Sequence, residues 1–254
     1  MLSSVVAVIP AWNEEGSLTP VVTQLLAAGI GRVIVADNGS TDRTAEVARA
    51  AGAHVVTAVQ RGYGAACLAG LAAVPTSATA VVFCDADGAD DLSRLEALCG
   101  PVVMGTLDLH IGSRALGHRE PGALTPPQLA GNFVATLLLR LLFWRRVTDL
   151  GPFRCISWAA LARLAMQDRT FGWTAEMQTK ALRLGLRYGE LAVDAKVRTA
   201  GESKISGRVL PVFKAGWAII TTILRYRMAP LPSLPQTAIE TAIETAMKKA
   251  RITE

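Results

Sequence analysis

The chain has 254 residues, 51% of them hydrophobic and 19% charged, with a formal net charge of +5. That is long enough for one large α/β core, too apolar for a disordered chain, and basic enough to favour anionic partners. Lysines and arginines are scattered rather than gathered with aromatics into a stripe, which argues against nucleic acid and leaves phosphates as the expected anions. Cys67, Cys84, Cys99 and Cys155 stand far apart, with no CxxC pair and no histidine at metal-ligand spacing. Neither a zinc site nor a disulfide framework is expected, and the thiols read as small buried apolar groups in a reducing, cytoplasmic setting.

In chain order, Val5, Val6, Val8 and Ile9 form a β-branched run that predicts a strand, without the basic lead or small-residue cleavage site of a signal peptide. A polar turn follows, then a helix over 17–28 with Val21, Val22, Leu25 and Leu26 on one face. Residues 32–36 predict a second strand, 37–42 a turn, 43–51 a second amphipathic helix and 54–58 a third strand; this alternation predicts a mostly parallel sheet flanked by helices. The uncharged stretch 62–84 is broken by Pro75, Thr76, Ser77 and Thr79, so it reads as a helix over 65–73 and a strand over 80–84 rather than a membrane span. That strand runs into Asp85, Asp87, Asp90 and Asp91.

Beyond residue 107 the pattern predicts a strand ending at Gly112-Ser113-Arg114, a Pro/Gly-rich loop, an apolar helix near 129–143 and a mixed Arg- and Gly-rich region. Two apolar segments, 129–147 and 209–228, are interrupted or flanked by Arg or Lys. They read either as surfaces lying in a membrane interface or as ordinary buried helices. In the first, Leu137, Leu138, Leu139, Leu141, Leu142, Phe143 and Trp144 lead into Arg145 and Arg146, whose charges suit anionic headgroups. From 231 three prolines precede a near-repeat of Thr-Ala-Ile-Glu, read as a terminal amphipathic helix without assigned chemistry.

The polar turns 10–15, 37–42 and 85–91 all follow strands, and in open α/β sheets ligands bind outside the carboxyl ends of strands. Asp85-Ala86-Asp87 carries the clearest chemistry. Two carboxylates flanking one small residue suit a hard divalent cation with room left for phosphate oxygens. Asp42 reads equally as part of a site or as a cap for the following helix. Arg61-Gly62-Tyr63-Gly64 offers Gly62 beside a phosphate, although positioning a helix explains that loop as well. His54, His110 and His118 read as structural or solvated.

Taken together, Ile9-Pro10-Ala11-Trp12-Asn13-Glu14-Glu15, Ala36-Asp37-Asn38-Gly39-Ser40-Thr41-Asp42 and Asp85-Ala86-Asp87-Gly88 resemble, in order and spacing, the motifs of family 2 glycosyltransferases of the GT-A fold. Gly112-Ser113-Arg114, the segment 149–154 and Arg198-Thr199-Ala200-Gly201-Glu202-Ser203-Lys204 are similar to motifs of the polyprenyl- and dolichol-phosphate sugar synthase branch. The likeness spans about residues 3–227. It implies a single Rossmann-like GT-A domain over 1–230, with 1–115 as the nucleotide-sugar and metal half, 116–230 as the acceptor half, and 231–254 as a tail. It also implies an inverting transfer of a hexose from a UDP- or GDP-sugar to a lipid-linked phosphate at the inner membrane face.

By the same resemblance, Pro10, Ala11, Trp12, Glu14, Asp37, Asn38, Ala86 and Asp87 line the donor, with Asp37 accepting from the base. Asp85 and Asp87 face Mg²⁺ or Mn²⁺ and the diphosphate, and Arg114, Arg198 and Lys204 supply positive charge. Where the family carries a glutamine that helps hold the cation, this chain has Ala89 followed by Asp90 and Asp91, so the third metal ligand is left to Asp90 or water. Glu176 is the candidate general base if the acceptor is a hydroxyl; an ionised phosphate acceptor needs none, and Arg114 with Arg119 would position it. Two other readings stand beside this one: transfer to a soluble saccharide or small molecule, and a non-catalytic nucleotide-sugar-binding or membrane scaffold protein.

Overall fold

The computed structural model describes residues 2–199 and 209–229; Lys204 and the expected tail over 231–254 lie outside them. The elements are β1 (Val5–Ala11), α1 (Leu18–Ala27), β2 (Arg32–Asp37), α2 (Thr44–Ala50), β3 (His54–Thr57), α3 (Tyr63–Ala72) and β4 (Ala80–Phe83). They continue as α4 (Leu95–Val103), β5 (Leu109–Ser113), α5 (Pro126–Phe143), β6 (Arg154–Ser157), α6 (Trp158–Leu164), α7 (Trp173–Arg183), β7 (Tyr188–Ala192) and α8 (Val209–Met228).

A seven-stranded sheet has the order β3-β2-β1-β4-β6-β5-β7. Every neighbouring pair is parallel except those of β6, which runs antiparallel between β4 and β5. The mostly parallel sheet read from the sequence is therefore present, with β6 the exception inside the region left as mixed. β1 is apolar at nearly every position because both of its faces are covered: Val5, Ala7 and Ile9 join the core under α1 and α4, while Val6 and Val8 join the core under α3, α6 and α7. All four cysteines are buried and unpaired, as expected of small apolar residues.

A third, smaller core lies off the sheet, where α5, α7 and α8 meet around Leu139, Val147, Ala175 and Ile223. α5 starts with a capping box, in which Thr125 and Gln128 satisfy each other's orphan groups, followed by Pro126 at its first position. It ends at Trp144, which adopts a left-handed conformation. Among the described residues no helix is long and apolar enough to cross a membrane.

Candidate active site

Parallel pairing aligns the carboxyl ends of β1, β2 and β4, so the three polar turns share one rim around a cavity of about 470 Å³. Its first wall is Pro10 and Ala11 at the end of β1, Trp12 and Glu14 just after it, and Asn38 after β2. These two turns are stitched together. The Asn13 amide donates to the Ser40 hydroxyl (2.9 Å), the Thr41 amide donates to Asn13 Oδ1 (2.8 Å), and the Glu14 amide donates to Thr44 Oγ1 (2.8 Å). Asp42 belongs to this stitching, accepting from the Thr44 and Glu15 amides. Burial opposes its ionisation, but hydrogen bonds from Thr44 and Glu15 outweigh it and hold the carboxyl below its ordinary value. Asp37 is buried at the end of β2, where Oδ1 accepts from the Ser40 amide; it stands one residue behind the lined wall rather than in it.

Asp85, Ala86 and Asp87 form the floor. Asp90 curls back so that its Oδ2 accepts from the Asp85 amide (2.8 Å), and Tyr63 donates its hydroxyl to Asp85 Oδ1 (3.2 Å). Burial first, and then the charges of Asp90 and Asp87, push the Asp85 carboxyl well above the usual carboxylate range. Asp90 is pushed up to about 7, by burial and by Asp87, against the Asp85 amide bond that favours its anion. Carboxylates crowded this way are short of positive charge, and hard oxygens are the donors that Mg²⁺ and Mn²⁺ select. Among the described residues no three His, Cys, Asp or Glu side chains converge as a complete cage. The fit is therefore to a cation held by two aspartates, with phosphate oxygens and water completing its shell.

Three cationic side chains face this acid floor or the wall beside it. Arg198 donates to Asp87 Oδ2 (2.7 Å) and lies 3.7 Å from Glu14 Oε1, bridging floor and wall. Arg61 sits 5.1 Å from the centroid of the Trp12 ring. Arg114 lies outside the lined cavity but close enough that its charge favours the anions of Asp85 and Asp90. A two-pronged contact with Asp149 fixes it, both bonds at 2.8 Å. Burial raises the cost of ionising Asp149, and Arg114 more than repays it, so that carboxyl stays below its ordinary value.

Residues 6–169 match the model of the family described as Glycosyl transferase family 2. The chain belongs to that family. A glycosyltransferase of Mycobacterium tuberculosis, itself uncharacterized, is 39% identical over 206 residues, covering 80% of this chain and 90% of that one. The undecaprenyl-phosphate mannosyltransferase of Micrococcus luteus is 28% identical over 218 residues, covering 81% of this chain and 89% of its own. In fold, this glycosyltransferase is similar to glucosyl-3-phosphoglycerate synthase from Mycobacterium tuberculosis, solved with Mn²⁺, UDP and glucosyl-3-phosphoglycerate. The TM-score is 0.71 at 23% identity, over 89% of this chain and 80% of that one.

The enzyme departs from the sequence reading at two places besides Asp37 and Arg114, which stand outside the lined cavity. Glu176 is not brought to the cavity: it is fully buried in α7, 2.6 Å from Lys180 Nζ, and its oxygens accept from the Gln167 and Asp168 amides. A base must reach the proton it removes, so the general-base role for this side chain is withdrawn. The second departure is the far wall. Thr170, Phe171 and Arg198 close the same cavity as Pro10 and Asn38, although the sequence places them in the acceptor half. Tyr63, Arg61, Thr170 and Phe171 were not singled out from the sequence. Tyr63 and Arg61 flank Gly62 in a loop that its glycines mark in the sequence, whereas nothing local marks Thr170 or Phe171.

Proposed function

We propose that this enzyme transfers a hexose from a UDP- or GDP-sugar to a polyprenyl phosphate, with inversion, using Mg²⁺ or Mn²⁺ held by Asp85 and Asp87. The donor half of the reading is supported by the acid floor beneath a rim of donor-motif residues, and by the Mn²⁺ and UDP bound in the similarly folded synthase. When bound, the cation neutralises charge developing on the departing diphosphate. Asp87 and Asp85 hold it, while Arg198 adds positive charge at the same end of the cavity; Lys204 is assigned that task by family resemblance. Pro10, Ala11, Trp12, Asn38 and Gly62 shape the nucleoside pocket, with Asp37 behind them.

The acceptor half is carried by one observation. Phe133, Leu137, Leu141 and Trp144 lie exposed along one stripe of α5, with Val134 beside them; Trp217, Leu224 and Met228 are exposed on the adjoining α8. Exposed Arg140, Arg145, Arg146, Arg225 and Arg227 border this apolar surface. Apolar stripes fringed by arginine suit the boundary between headgroups and acyl chains of an anionic bilayer, where a polyprenyl phosphate resides. The mannosyltransferase relative, which acts on undecaprenyl phosphate, points the same way. A phosphate acceptor is already an anion at neutral pH, so attack on the anomeric carbon proceeds without a base, and Arg114 is the cation placed to orient it.

The test is a transfer assay with radiolabelled UDP- and GDP-hexoses and Mn²⁺, offering a short polyprenyl phosphate alongside soluble sugars and phosphoglycerate. Label partitioning into the organic phase supports the reading. Label confined to a water-soluble product assigns the enzyme to a soluble acceptor, and metal-independent nucleotide binding without any transfer assigns it to a scaffold.

A further inference from the structure

Glu176 and Lys180 stand one helical turn apart on α7, both essentially excluded from solvent. A buried ion pair contributes little net stability compared with apolar residues of the same volume, so its presence calls for another explanation. Most of the hydrogen bonds of this pair go to one stretch of chain, the end of α6 and its connection to α7. Lys180 Nζ donates to the carbonyls of Leu164 (2.8 Å) and Ala165 (2.9 Å), and Ala165 is in the left-handed conformation that ends α6. Glu176 accepts from the Gln167 amide (2.9 Å) and the Asp168 amide (2.6 Å). The pair therefore grips both sides of the bend at 164–168.

The held segment leads directly to the donor cavity. Asp168 Oδ1 accepts from the Thr170 amide (2.7 Å), and the next two residues of the wall are Thr170 and Phe171. The carbonyls of Thr170 and Arg169 accept from the amides of Gly64 (3.1 Å) and Ala65 (3.0 Å), capping the first turn of α3. The approach is so close that a Cβ at Gly62 or Gly64 would overlap the backbone of Asp168 or Arg169. This explains the glycines without a phosphate cradle. Tyr63, on the same turn, then reaches Asp85 on the floor. A continuous path of hydrogen bonds and backbone thus runs from the buried pair to the metal-motif aspartate.

The other side of the pair faces α8. The Tyr226 ring lies 4.5 Å from Lys180 Nζ, and Thr222 Oγ1 is 3.5 Å from Asp168 Oδ2. Burial, and then the charge and hydrogen bonding of Glu176, hold the Tyr226 phenol in its protonated form. We infer that Glu176 and Lys180 are positioning residues. They set the far wall of the donor cavity through the 164–171 connection, and Tyr226 ties that wall to the helix on the acceptor side.

Glu176→Gln, Tyr226→Leu and the wild-type enzyme test this by two readouts. In Glu176→Gln, amide hydrogen exchange at Gly64 and Ala65 accelerates while β1 and β4 exchange as in the wild type. The donor KM rises about ten- to a hundredfold, as for a binding element displaced by about an ångström. kcat falls less than the donor KM rises, and the pH dependence of kcat keeps its shape. Tyr226→Leu moves the same quantities in the same direction by a smaller factor. Should Glu176→Gln fail to fold, Asp168→Ala removes the Thr170 turn and the Thr222 contact while leaving the buried pair in place, and is expected to show the same changes at Gly64 and in donor KM.

Wild-type exchange and donor KM in these variants overturn the inference. So does a loss confined to kcat that abolishes the acid limb of its pH profile, since that is the signature of a base. The kinetic readout rests on the donor reading above, whereas the exchange readout does not. A wild-type enzyme that took up no nucleotide sugar sinks that reading, yet faster exchange at Gly64 in Glu176→Gln still supports the clamp.

Discussion

The two sides of the cavity are built differently. The near side consists of three turns at adjacent strand ends, of which the first two are bound to each other by short contacts such as Asn13 with Ser40 and Thr41. The far side consists of single residues delivered from distant connections: Thr170 and Phe171 from between α6 and α7, and Arg198 from beyond β7. A rigid side that carries the acids and a delivered side that carries cations and cover suit a transferase, because the donor must be held while the acceptor is admitted and a leaving group released.

The sharpest way to break this contrast is to remove charge from the floor. Asp87→Asn is expected to lower kcat about 10²- to 10³-fold, the scale for losing one electrostatic element at a developing charge. It should do so without changing the fold by circular dichroism; retained turnover would place the chemistry elsewhere. A smaller effect is expected from the cation that stands just outside the cavity. Arg114→Ala removes a cation that Asp149 holds in place, and about a 10²-fold loss in kcat/KM for the acceptor is expected, with donor binding spared. Equal losses for donor and acceptor would contradict a role for Arg114 at the acceptor alone.

At the surface, replacing Leu141 and Trp144 together by serine should weaken binding to anionic vesicles about tenfold or more, since each buried apolar side chain is worth roughly 1.5–3 kcal/mol. Turnover of a short-chain water-soluble acceptor should be unchanged. Unaltered flotation would remove the membrane from the reading of α5.

The smallest effect is in pH. Asp85 and Asp90 have folded-state values raised above the unfolded ones, with Asp90 at about 7. The stability that Asp90 contributes is therefore fully present below about pH 4 and is lost as pH rises through about 7, and that of Asp85 is lost in the same direction. Asp42, Asp91, Asp108 and Asp149 are shifted the other way, so they contribute stability above about pH 4 and lose it only in more acidic solution. Between pH 5 and 8 the floor acids dominate. The metal-free enzyme should lose a few degrees of Tm across that range, at about 2–4 °C per kcal/mol for a domain of this size, and Mn²⁺ should restore more at pH 8 than at pH 5.5. A Tm that rises from pH 5 to 8 without metal would contradict the strained acid floor.

The contrast also explains what was legible in the sequence. The rim turns could be read because each is local, an apolar run followed at once by its polar residues, and because parallel pairing makes the strand ends coincide. Thr170 and Phe171 could not. They reach the cavity through the Gly64 and Ala65 amides, more than a hundred residues away in the chain, and their own neighbourhood carries no periodicity or motif. β6 was hidden for a related reason: it is four residues long and begins with Arg154, whose guanidinium is buried only because the carbonyls of Leu150, Gly151 and Thr174 accept from it. Glu176 misled because spacing along a chain does not tell which face of a helix points inward. The packing of α7 on α6 and α8 decides that, and it turns this carboxylate away from the cavity.

Titration calorimetry of UDP- and GDP-sugars, with and without Mn²⁺, on the wild type and on Asp85→Asn/Asp87→Asn bears most directly on the central claim. Metal-dependent binding by the wild type that disappears in the double variant is the expected result. Nucleotide-sugar binding of equal strength in both proteins would contradict it.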